Sequence, residues 1–353
     1  MKLILIIFTF VWVNNLMANT NLNDLNICIN NKYKNLNQRS GIVTAVMNST
    51  ESIVSEFGDA NKDQLFEIGS VTKTMTSSLI AKLIVDKKIK LDSEIPDKYQ
   101  KDGQPRITYG QLVSHSSGIM GGIFSDFKIK NPLTPFEGLS RKLFLELYDK
   151  MPLSSEPNTK FEYSNIAYGL LGVLIEEHFG VSFDEAVKQH ILAPLGMYNS
   201  HFKVPDILNS KFPEGYLVDS SEKKISVPHW NLYDTAISPA GGLRSTISDM
   251  IKYTQANLDK TSELINILTA THQKLFYLDK NAWIGMSWIV EPDKDLIWHN
   301  GLTYGYNSIV ALSRNKDLAI VALSNTSIIK AEGIDFWLQD VAFDCLAEIE
   351  NKD

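Results

Sequence analysis

The sequence predicts an α+β fold in which one sheet is assembled from both ends of the chain around a mainly helical insertion. Two strand-like runs lie near the amino end, and four more lie near the carboxyl end. Between them, over roughly residues 87–270, helical patterns and loops predominate. One further helical pattern precedes the first strand and another follows the last, so helices should flank the sheet.

Each element is predicted from the spacing of its apolar residues. These residues recur at helical spacing over about 20–37, and the strand-like runs 41–47 and 52–57 follow, separated by a turn-prone Asn-Ser-Thr segment. A short apolar segment ends at Gly69-Ser70, after which apolar residues repeat every four positions to about Asp86 and predict a helix. The remaining predicted helices are 166–179, 183–192, 247–258 and 333 to about 349, and the remaining strands are 282–289, 296–299, 306–313 and 318–324.

The chain of 353 residues is two to three times the usual domain size, which suits one large domain or two intertwined ones. We expect a sheet domain formed by residues 19–69 and 278–353. A mainly helical domain of residues 70–277 should be inserted into it, with the functional site at the interface.

The first eighteen residues have the pattern of a secretory signal peptide. Lys2 precedes an apolar run over 3–13, and Ala18 offers a small residue for cleavage. The alternative is an uncleaved anchor helix, but a membrane span needs about 20 apolar residues and two Asn end this run early. We therefore expect a periplasmic or secreted bacterial protein with no stable membrane anchor after cleavage.

The composition excludes several classes of protein. Hydrophobic residues make up 44% and charged residues 21%, as in ordinary globular chains. The formal net charge of −7 argues against a nucleic-acid partner, which would require a dense basic surface. The His residues show no zinc-binding spacing, and no nucleotide-binding glycine motif is present. These absences argue against metal-dependent hydrolysis and nucleotide chemistry.

Cys28 and Cys345 are the only cysteines, and they lie near opposite ends of the chain. In an oxidising compartment they would form a disulfide between the first and last helices. The alternative is a pair of buried thiols. Each lies within an apolar helical pattern rather than beside a His or at a helix start, so neither is a strong candidate for a nucleophile.

A Ser-x-x-Lys pattern begins at Ser70, but the pattern alone carries little information because six other serines also have a Lys three residues later. Ser70 differs in its context, since it follows a Gly and opens a strongly patterned helix. Residues three apart share one face at a helix start, so the Lys73 amine can reach the Ser70 hydroxyl. A simpler interpretation is a helix-capping Ser with an exposed Lys.

Two later segments must be considered together with the Ser-x-x-Lys pattern. Tyr163-Ser164-Asn165 opens the predicted helix 166–179, and His299-Asn300-Gly301 is expected in a turn between two late strands. With Ser70-x-x-Lys73, they resemble the three motifs of the penicillin-recognising serine hydrolases, in particular the class C β-lactamase and DD-peptidase family. Stretches near 112–118, 192–197 and 239–246 agree with this resemblance over most of the mature chain. It implies a β-lactamase/DD-peptidase-like fold with an antiparallel sheet, and an enzyme that needs no cofactor.

The resemblance implies a role for each matched residue. Ser70 would be the nucleophile that forms an acyl-enzyme, and Lys73 would assist its deprotonation. Tyr163 would relay protons to the leaving nitrogen and later from water, which requires a phenol whose pKa is drawn toward neutrality by nearby cations. Asn165 would bind Lys73 and the substrate amide.

The third motif would form the other wall of the site. The backbone N–H groups of Ser70 and Leu302 would make an oxyanion hole, and Gly301 would let substrate approach the strand. His299 and Asn300 stand where well-known β-lactamases carry Lys and Thr, so carboxylate binding would depend on a titratable His299. His115 lies in a segment that the resemblance assigns to a structural turn.

Three functions remain open. The first is hydrolysis of β-lactam or D-Ala-type peptide amides, by a penicillin-binding DD-peptidase or a class C-like β-lactamase. The second is an esterase or D-aminopeptidase on the same scaffold, because His-x-Gly also occurs among such relatives. The third, less favoured, is a catalytically silent β-lactam sensor. In each case the partner is a small molecule or a short peptide.

Overall fold

The computed structural model describes residues 21–34, 41–219, 221, 223–279, 281–330, 333–335 and 337–350. The predicted signal peptide, residues 1–18, and the end of the first predicted helix, residues 35–37, lie outside these residues.

The strands of the described residues form one large antiparallel sheet and two small ones. The strands are β1 (Ile42–Met47), β2 (Ser52–Phe57), β3 (Phe66–Glu67), β4 (Gly215–Val218), β5 (Lys224–Val227), β6 (Arg244–Ser245), β7 (Phe276–Asp279), β8 (Ala282–Ile284), β9 (Ile289–Glu291), β10 (Leu296–Leu302), β11 (Asn307–Ser313), β12 (Leu318–Ser324), β13 (Thr326–Lys330) and β14 (Gly333–Asp335). The large sheet has the order β2-β1-β12-β11-β10-β9-β8-β7. Pairing of β1 with β12 joins the two ends of the chain in one sheet, as predicted.

The described helices fill the middle of the chain and both of its ends. They are α1 (residues 21–34), α2 (Thr72–Val85), α3 (Tyr109–Val113), α4 (Arg141–Lys150), α5 (Asn165–Phe179), α6 (Phe183–Val187), α7 (Ser238–Gly241), α8 (Ile247–Leu258), α9 (Ile265–Thr271) and α10 (Trp337–Glu350). Within the described residues, no single helix is long and apolar enough for a membrane span. Helix α5 and the segment Phe183–Leu192 have the length and apolar composition of a membrane span only when they are counted together, and the chain bends by 74° between them.

The central strands are buried on both faces because each face meets a different core. Alternate residues of β12, such as Val321, pack in the large core formed with the helical middle of the chain. Their neighbours, such as Ile320, pack with α1 and α10 on the opposite face. Side chains alternate across a strand, so a two-sided strand is apolar at every position. This explains the continuous apolar run in the sequence and confirms the α+β fold with flanking terminal helices.

The two terminal helices are joined to each other over that second core. Cys28 of α1 and Cys345 of α10 form a disulfide, the first of the two alternatives that the sequence left open. Lys32 reinforces the contact with ion pairs to Asp344 at 2.9 Å and Glu348 at 3.2 Å. A covalent link between residues so far apart in sequence stabilises the fold mainly by restricting the unfolded chain.

Three sequence predictions about elements are corrected by the structure. The predicted strand 282–289 is two strands, because the chain turns at Gly285 and at Ser287, whose φ is 67°. The predicted last helix begins later, since residues 333–335 form β14. The small sheets, β14-β13-β4-β5 and β3-β6, were not predicted because their strands are too short for a clear periodicity. The domain boundaries at 69/70 and 277/278 stay a prediction.

Candidate active site

Ser70 lies in a tight turn between β3 and α2. The turn is a 3-10 helix, Gly69–Val71, and Gly69 has a φ of 49°, a left-handed conformation that glycine adopts without strain. A Cβ at Gly69 would stand 2.6 Å from the Leu302 backbone nitrogen. Only a glycine therefore lets the Ser70 turn lie directly against β10.

Lys73 points back from the first turn of α2 toward Ser70. Its Nζ lies 2.9 Å from Ser70 Oγ and 2.6 Å from the carbonyl oxygen of Ala240. The side chain is completely buried, and burial lowers the pKa of Lys73 well below 10.5. Burial favours the neutral amine, and an amine that donates to Ala240 can direct its lone pair at the Ser70 hydroxyl. Lys73 is thus arranged as a base, rather than as the exposed lysine of the simpler interpretation.

Tyr163 closes the other side of this arrangement, just before α5. Ser164 caps the helix, its Oγ accepting the Ala167 N–H at 3.0 Å, and this cap fixes where Tyr163 leaves the helix. The Tyr163 ring faces Lys73 Nζ, 4.7 Å from the ring centroid. The residue remains 38% exposed, so it borders the open cleft.

The prediction that cations pull the Tyr163 pKa toward neutrality is wrong for the free protein. Burial of the hydroxyl raises the pKa of Tyr163 above 10, and its interaction with Ser70 only partly opposes the rise. The physical reason is burial, which disfavours the charged phenolate and also lowers the pKa of both Lys73 and His299, the two cations that were expected to oppose it. A neutral, protonated phenol is suited to donate a proton rather than to accept one first.

Asn165 is the first residue of α5 and is half-buried. The hydrogen bonds found for Lys73 in the described residues go to Ser70 and Ala240, and none joins Lys73 to Asn165. The predicted bond between Asn165 and Lys73 is therefore not made in the free protein, where Lys73 donates to the Ala240 carbonyl oxygen instead. Asn165 nonetheless stands two residues from Tyr163, and a contact with the substrate amide stays a prediction.

The third motif lies inside β10 and not in the predicted turn, because the strand continues to Leu302. His299 is 4% exposed, and its Nδ1 lies 2.6 Å from the Asn300 carbonyl oxygen, to which the neutral ring donates. Burial, together with the nearby Lys73, lowers the pKa of His299 to about 3. His299 is therefore uncharged at neutral pH, which corrects the expectation of a titratable cation for a substrate carboxylate.

Asn300 and Gly301 occupy opposite faces of β10. Asn300 Nδ2 donates to Oε1 of Gln339 in α10 at 2.8 Å, so its side chain is directed toward the terminal helices rather than toward Ser70. This corrects its assignment to the same wall as His299, and the reason is the alternation of side chains along a strand. Gly301 faces the Ser70 turn, where a Cβ would come within 1.9 Å of the Ile68 carbonyl oxygen.

The backbone of Leu302 lies close to the turn that carries Ser70, as an oxyanion hole formed by the N–H groups of these two residues requires. That the two N–H groups form an oxyanion hole stays a prediction. Leu302 follows Gly301 on β10, and its nitrogen lies against Gly69, the residue before Ser70. Two amides held on rigid elements beside a nucleophile are the arrangement that stabilises a developing oxyanion. Gly69 and Gly301 together permit this close approach.

A buried ion pair beside the nucleophile was missed by sequence reasoning. Glu67 and Arg244 are paired directly across β3 and β6, 3.9 Å apart, and both are almost fully buried. Glu67 Oε1 accepts the Trp230 N–H at 2.7 Å, and Arg244 donates to the Trp230 carbonyl oxygen. Burial raises the pKa of Glu67 to about 7, although Arg244 opposes the rise. The only sequence signal was a charged residue within the apolar segment 65–68.

The arrangement can therefore hold a nucleophilic hydroxyl, a neutral amine base, a protonated phenol and paired amide donors in one cleft. Within the residues that the structure describes, no group of three or more His, Cys, Asp or Glu side chains could hold a metal ion. The chemistry available to these side chains is nucleophilic attack assisted by proton transfer.

Comparison with known proteins agrees with this geometry. A family model described as Beta-lactamase matches residues 29–341. Protein flp of Staphylococcus aureus (strain MW2) is 26% identical over 269 residues, covering 74% of this chain and 52% of that protein. The chain thus spans about half the length of the curated relatives of this kind that it matches. A protein named beta-lactamase from Pseudomonas fluorescens is 24% identical over 339 residues, covering 84% of this chain and 91% of its own.

Solved structures show the same fold. A class C beta-lactamase in complex with cefoxitin superposes with a TM-score of 0.75 and 21% identity, covering 93% of this chain and 99% of that one. A beta-lactamase/D-alanine carboxypeptidase from Pseudomonas syringae gives 0.74 and 20%, covering 92% and 98%. A penicillin-binding protein homologue from Pyrococcus abyssi gives 0.74 and 22%, covering 89% and 74%. Because these identities are only 20–22%, the structural similarity is evidence for the fold alone.

Proposed function

Because the chain belongs to the beta-lactamase family, a family of serine hydrolases, we propose that it cleaves β-lactam or D-Ala-type peptide amide bonds through an acyl-enzyme on Ser70. The observation that carries this proposal is the 2.9 Å approach of the completely buried Lys73 amine to the Ser70 hydroxyl. A lysine serves as a base only when its amine is unprotonated, and burial, which lowers the pKa of Lys73, favours that form.

The proposed reaction moves one proton at a time. Lys73 accepts the Ser70 proton as Oγ attacks the carbonyl carbon, and the N–H groups of Ser70 and Leu302 bind the oxyanion. The protonated Tyr163 then donates to the leaving nitrogen as the C–N bond breaks. The new Lys73 ammonium, 4.7 Å from the Tyr163 ring centroid, stabilises the phenolate. The phenolate then accepts a proton from the water that attacks the acyl-enzyme, and Lys73 returns its proton to Ser70 Oγ, 2.9 Å away, as the acyl–oxygen bond breaks.

A panel of acyl donors tests the proposal. Purified protein is incubated with a fluorescent penicillin, a chromogenic cephalosporin and a peptide ending in D-Ala-D-Ala, and each reaction is followed to steady state. Slow turnover of the penicillin label with release of D-Ala supports a penicillin-binding DD-peptidase, and rapid cephalosporin turnover supports a β-lactamase. Absence of both labelling and turnover with all three compounds would refute amide hydrolysis of this class.

A second candidate function is supported by the state of His299. With its pKa near 3, this residue brings no positive charge to the cleft at neutral pH. Without that charge, a substrate carboxylate gains no ion pair with His299. Substrates that lack a carboxylate there, such as short-chain esters or D-amino-acid amides, would then bind as well as those that carry one. A p-nitrophenyl ester and a D-Ala p-nitroanilide measured beside the panel distinguish the candidates, since cleavage of these alone would favour the esterase or D-aminopeptidase.

We also propose that the protein is exported and acts in the periplasm or outside the cell. The Cys28–Cys345 disulfide supports this location, because such bonds persist in oxidising compartments. Fractionation of cells that produce the full chain, with thiol labelling before and after reduction, tests it. Recovery of the chain in the cytosol with two free thiols would contradict export.

A further inference from the structure

His115 occupies an unusual position in the loop that follows α3. Its φ is 56°, a left-handed value that is uncommon for residues other than Gly, although Asn, Asp and His adopt it more often than the rest. Its side chain is nevertheless 1% exposed. A backbone held in this conformation by a buried side chain indicates that the surrounding contacts determine where the ring lies.

Those contacts surround the second motif on all sides. The His115 ring stacks on Tyr163 with 4.4 Å between centroids and a 30° tilt, and it also contacts the rings of Tyr168 at 4.9 Å and Phe161 at 5.8 Å. Its Nδ1 accepts the Ser164 N–H at 3.0 Å, and its carbonyl oxygen accepts the Glu162 N–H at 2.8 Å. One residue therefore contacts the backbone on both sides of Tyr163 and the Tyr163 ring itself.

The hydrogen bonding also fixes the form of the imidazole. Nδ1 accepts an N–H and must carry a lone pair, so the ring proton is on Nε2, a buried atom for which no hydrogen-bond partner is found among the described residues. Burial lowers the pKa of His115 well below 6.5, and the nearby Lys73 on α2 and His299 on β10 lower it further. A neutral ring stacks on Tyr163 without stabilising its phenolate.

We propose that His115 is a positioning residue for Tyr163, whose stacked ring holds the phenol in line with Ser70 and Lys73 for proton transfer. The inference rests on the proposed function, because it gives His115 a role only if Tyr163 transfers protons. His115 itself is not a catalytic residue, since its hydrogen bonds go to the backbone beside Tyr163. Loss of the stack would let the phenol move, and a displacement of about 1 Å can cost on the order of 100-fold in rate.

Two substitutions separate the ring from its hydrogen bond. His115→Asn tolerates the positive φ and offers a side-chain oxygen to the Ser164 N–H, but it removes the ring. His115→Phe keeps a ring against Tyr163, but it strains the backbone and leaves the Ser164 N–H unpaired. His272→Asn is the matched control, because His272 is another buried histidine packed on an aromatic ring, Trp288.

The measurements are kcat and KM on whichever substrate of the panel is turned over, together with the melting temperature of each variant. We expect His115→Asn to be the more stable of the two His115 variants and yet to lose about 10- to 100-fold in kcat, with KM changed less than about twofold. His115→Phe should be the less stable but keep the higher kcat per folded molecule, and His272→Asn should keep the wild-type kcat. A purely structural role predicts that kcat follows stability instead.

Retention of the wild-type kcat by His115→Asn, or loss of kcat in the same order as stability, would overturn the inference. Tyr163→Phe is measured in parallel. It distinguishes an error in the role of His115 from an error in the proposed function. If Tyr163→Phe is inactive while His115→Asn is fully active, only the role of His115 is wrong. If Tyr163→Phe keeps the wild-type kcat, proton transfer by Tyr163 is wrong and the positioning role falls with it.

Discussion

Replacing Glu67 by Gln should make the protein progressively more stable than the wild type as pH rises from about 4.5 to 7. The Glu67 carboxyl is 3% exposed, and burial raises its pKa from 4.5 to about 7 in the folded protein. The folded state therefore binds this proton more tightly than the unfolded state. The stability that protonated Glu67 contributes is fully present below pH 4.5 and is lost as pH rises toward 7.

The size of this change in unfolding free energy follows from the shift in the Glu67 pKa. One pKa unit corresponds to about 1.4 kcal/mol, so a rise from 4.5 to about 7 corresponds to about 3 kcal/mol of unfolding free energy. Gln has nearly the shape of the protonated acid, and its side-chain oxygen can still accept the Trp230 N–H. The variant therefore keeps the contact and removes only the titration.

Urea denaturation of both proteins at pH 4, 5, 6, 7 and 8, with the disulfide intact, measures the difference directly. The difference in unfolding free energy should grow by about 3 kcal/mol between pH 4.5 and 7 and stay constant above that range. Glu177→Gln provides a control whose difference curve is flat between pH 4.5 and 7, because hydrogen bonds with Lys98 and Tyr99 overcome partial burial and lower the Glu177 pKa from 4.5. If the difference in unfolding free energy between Glu67→Gln and the wild type did not change with pH, the claim that Glu67 is a buried carboxyl with a raised pKa would be refuted.

Three further predictions concern the cleft and the terminal helices. Gly301→Ala should reduce kcat about 100-fold or more, because its Cβ would meet the Ile68 carbonyl at 1.9 Å and push Leu302 from the oxyanion position; near-normal kinetics would contradict this. His299→Gln should leave the shape of the kcat/KM profile unchanged between pH 5 and 8, since the His299 pKa is about 3, whereas disappearance of a limb near pH 6–7 would show a titrating imidazole. Replacing Cys28 and Cys345 by Ser should lower the unfolding free energy by about 2–4 kcal/mol in denaturant titrations, and acylation should persist. Unchanged stability would argue against a structural disulfide.

The parts of the fold that could be predicted are those with long, regular patterns. The run 318–323 is apolar throughout because both faces of β12 are covered, and its length and flanking residues identify a strand. The helix beginning after Ser70 follows from its four-residue repeat. These signals are local, so they are available without knowledge of the partners.

The electrostatics of the site could not be predicted in the same way. The sequence indicates His299 but not its burial, and burial decides that the residue is neutral. Asn300 is adjacent to His299 in sequence, yet the alternation of β10 directs it to Gln339. Glu67 and Arg244 meet only because two very short strands from distant parts of the chain pair with each other. Such facts depend on tertiary contacts rather than on local spacing.

The central claim is that Ser70 is the residue that becomes acylated. Intact-mass measurement and peptide mapping, after brief incubation with each labelled penicillin or ester and rapid acid quenching, test it most directly. We predict an acyl adduct on the peptide that contains Ser70, with neither adduct nor turnover in Ser70→Ala. An adduct mapped to another residue, or full turnover by Ser70→Ala, would contradict the account.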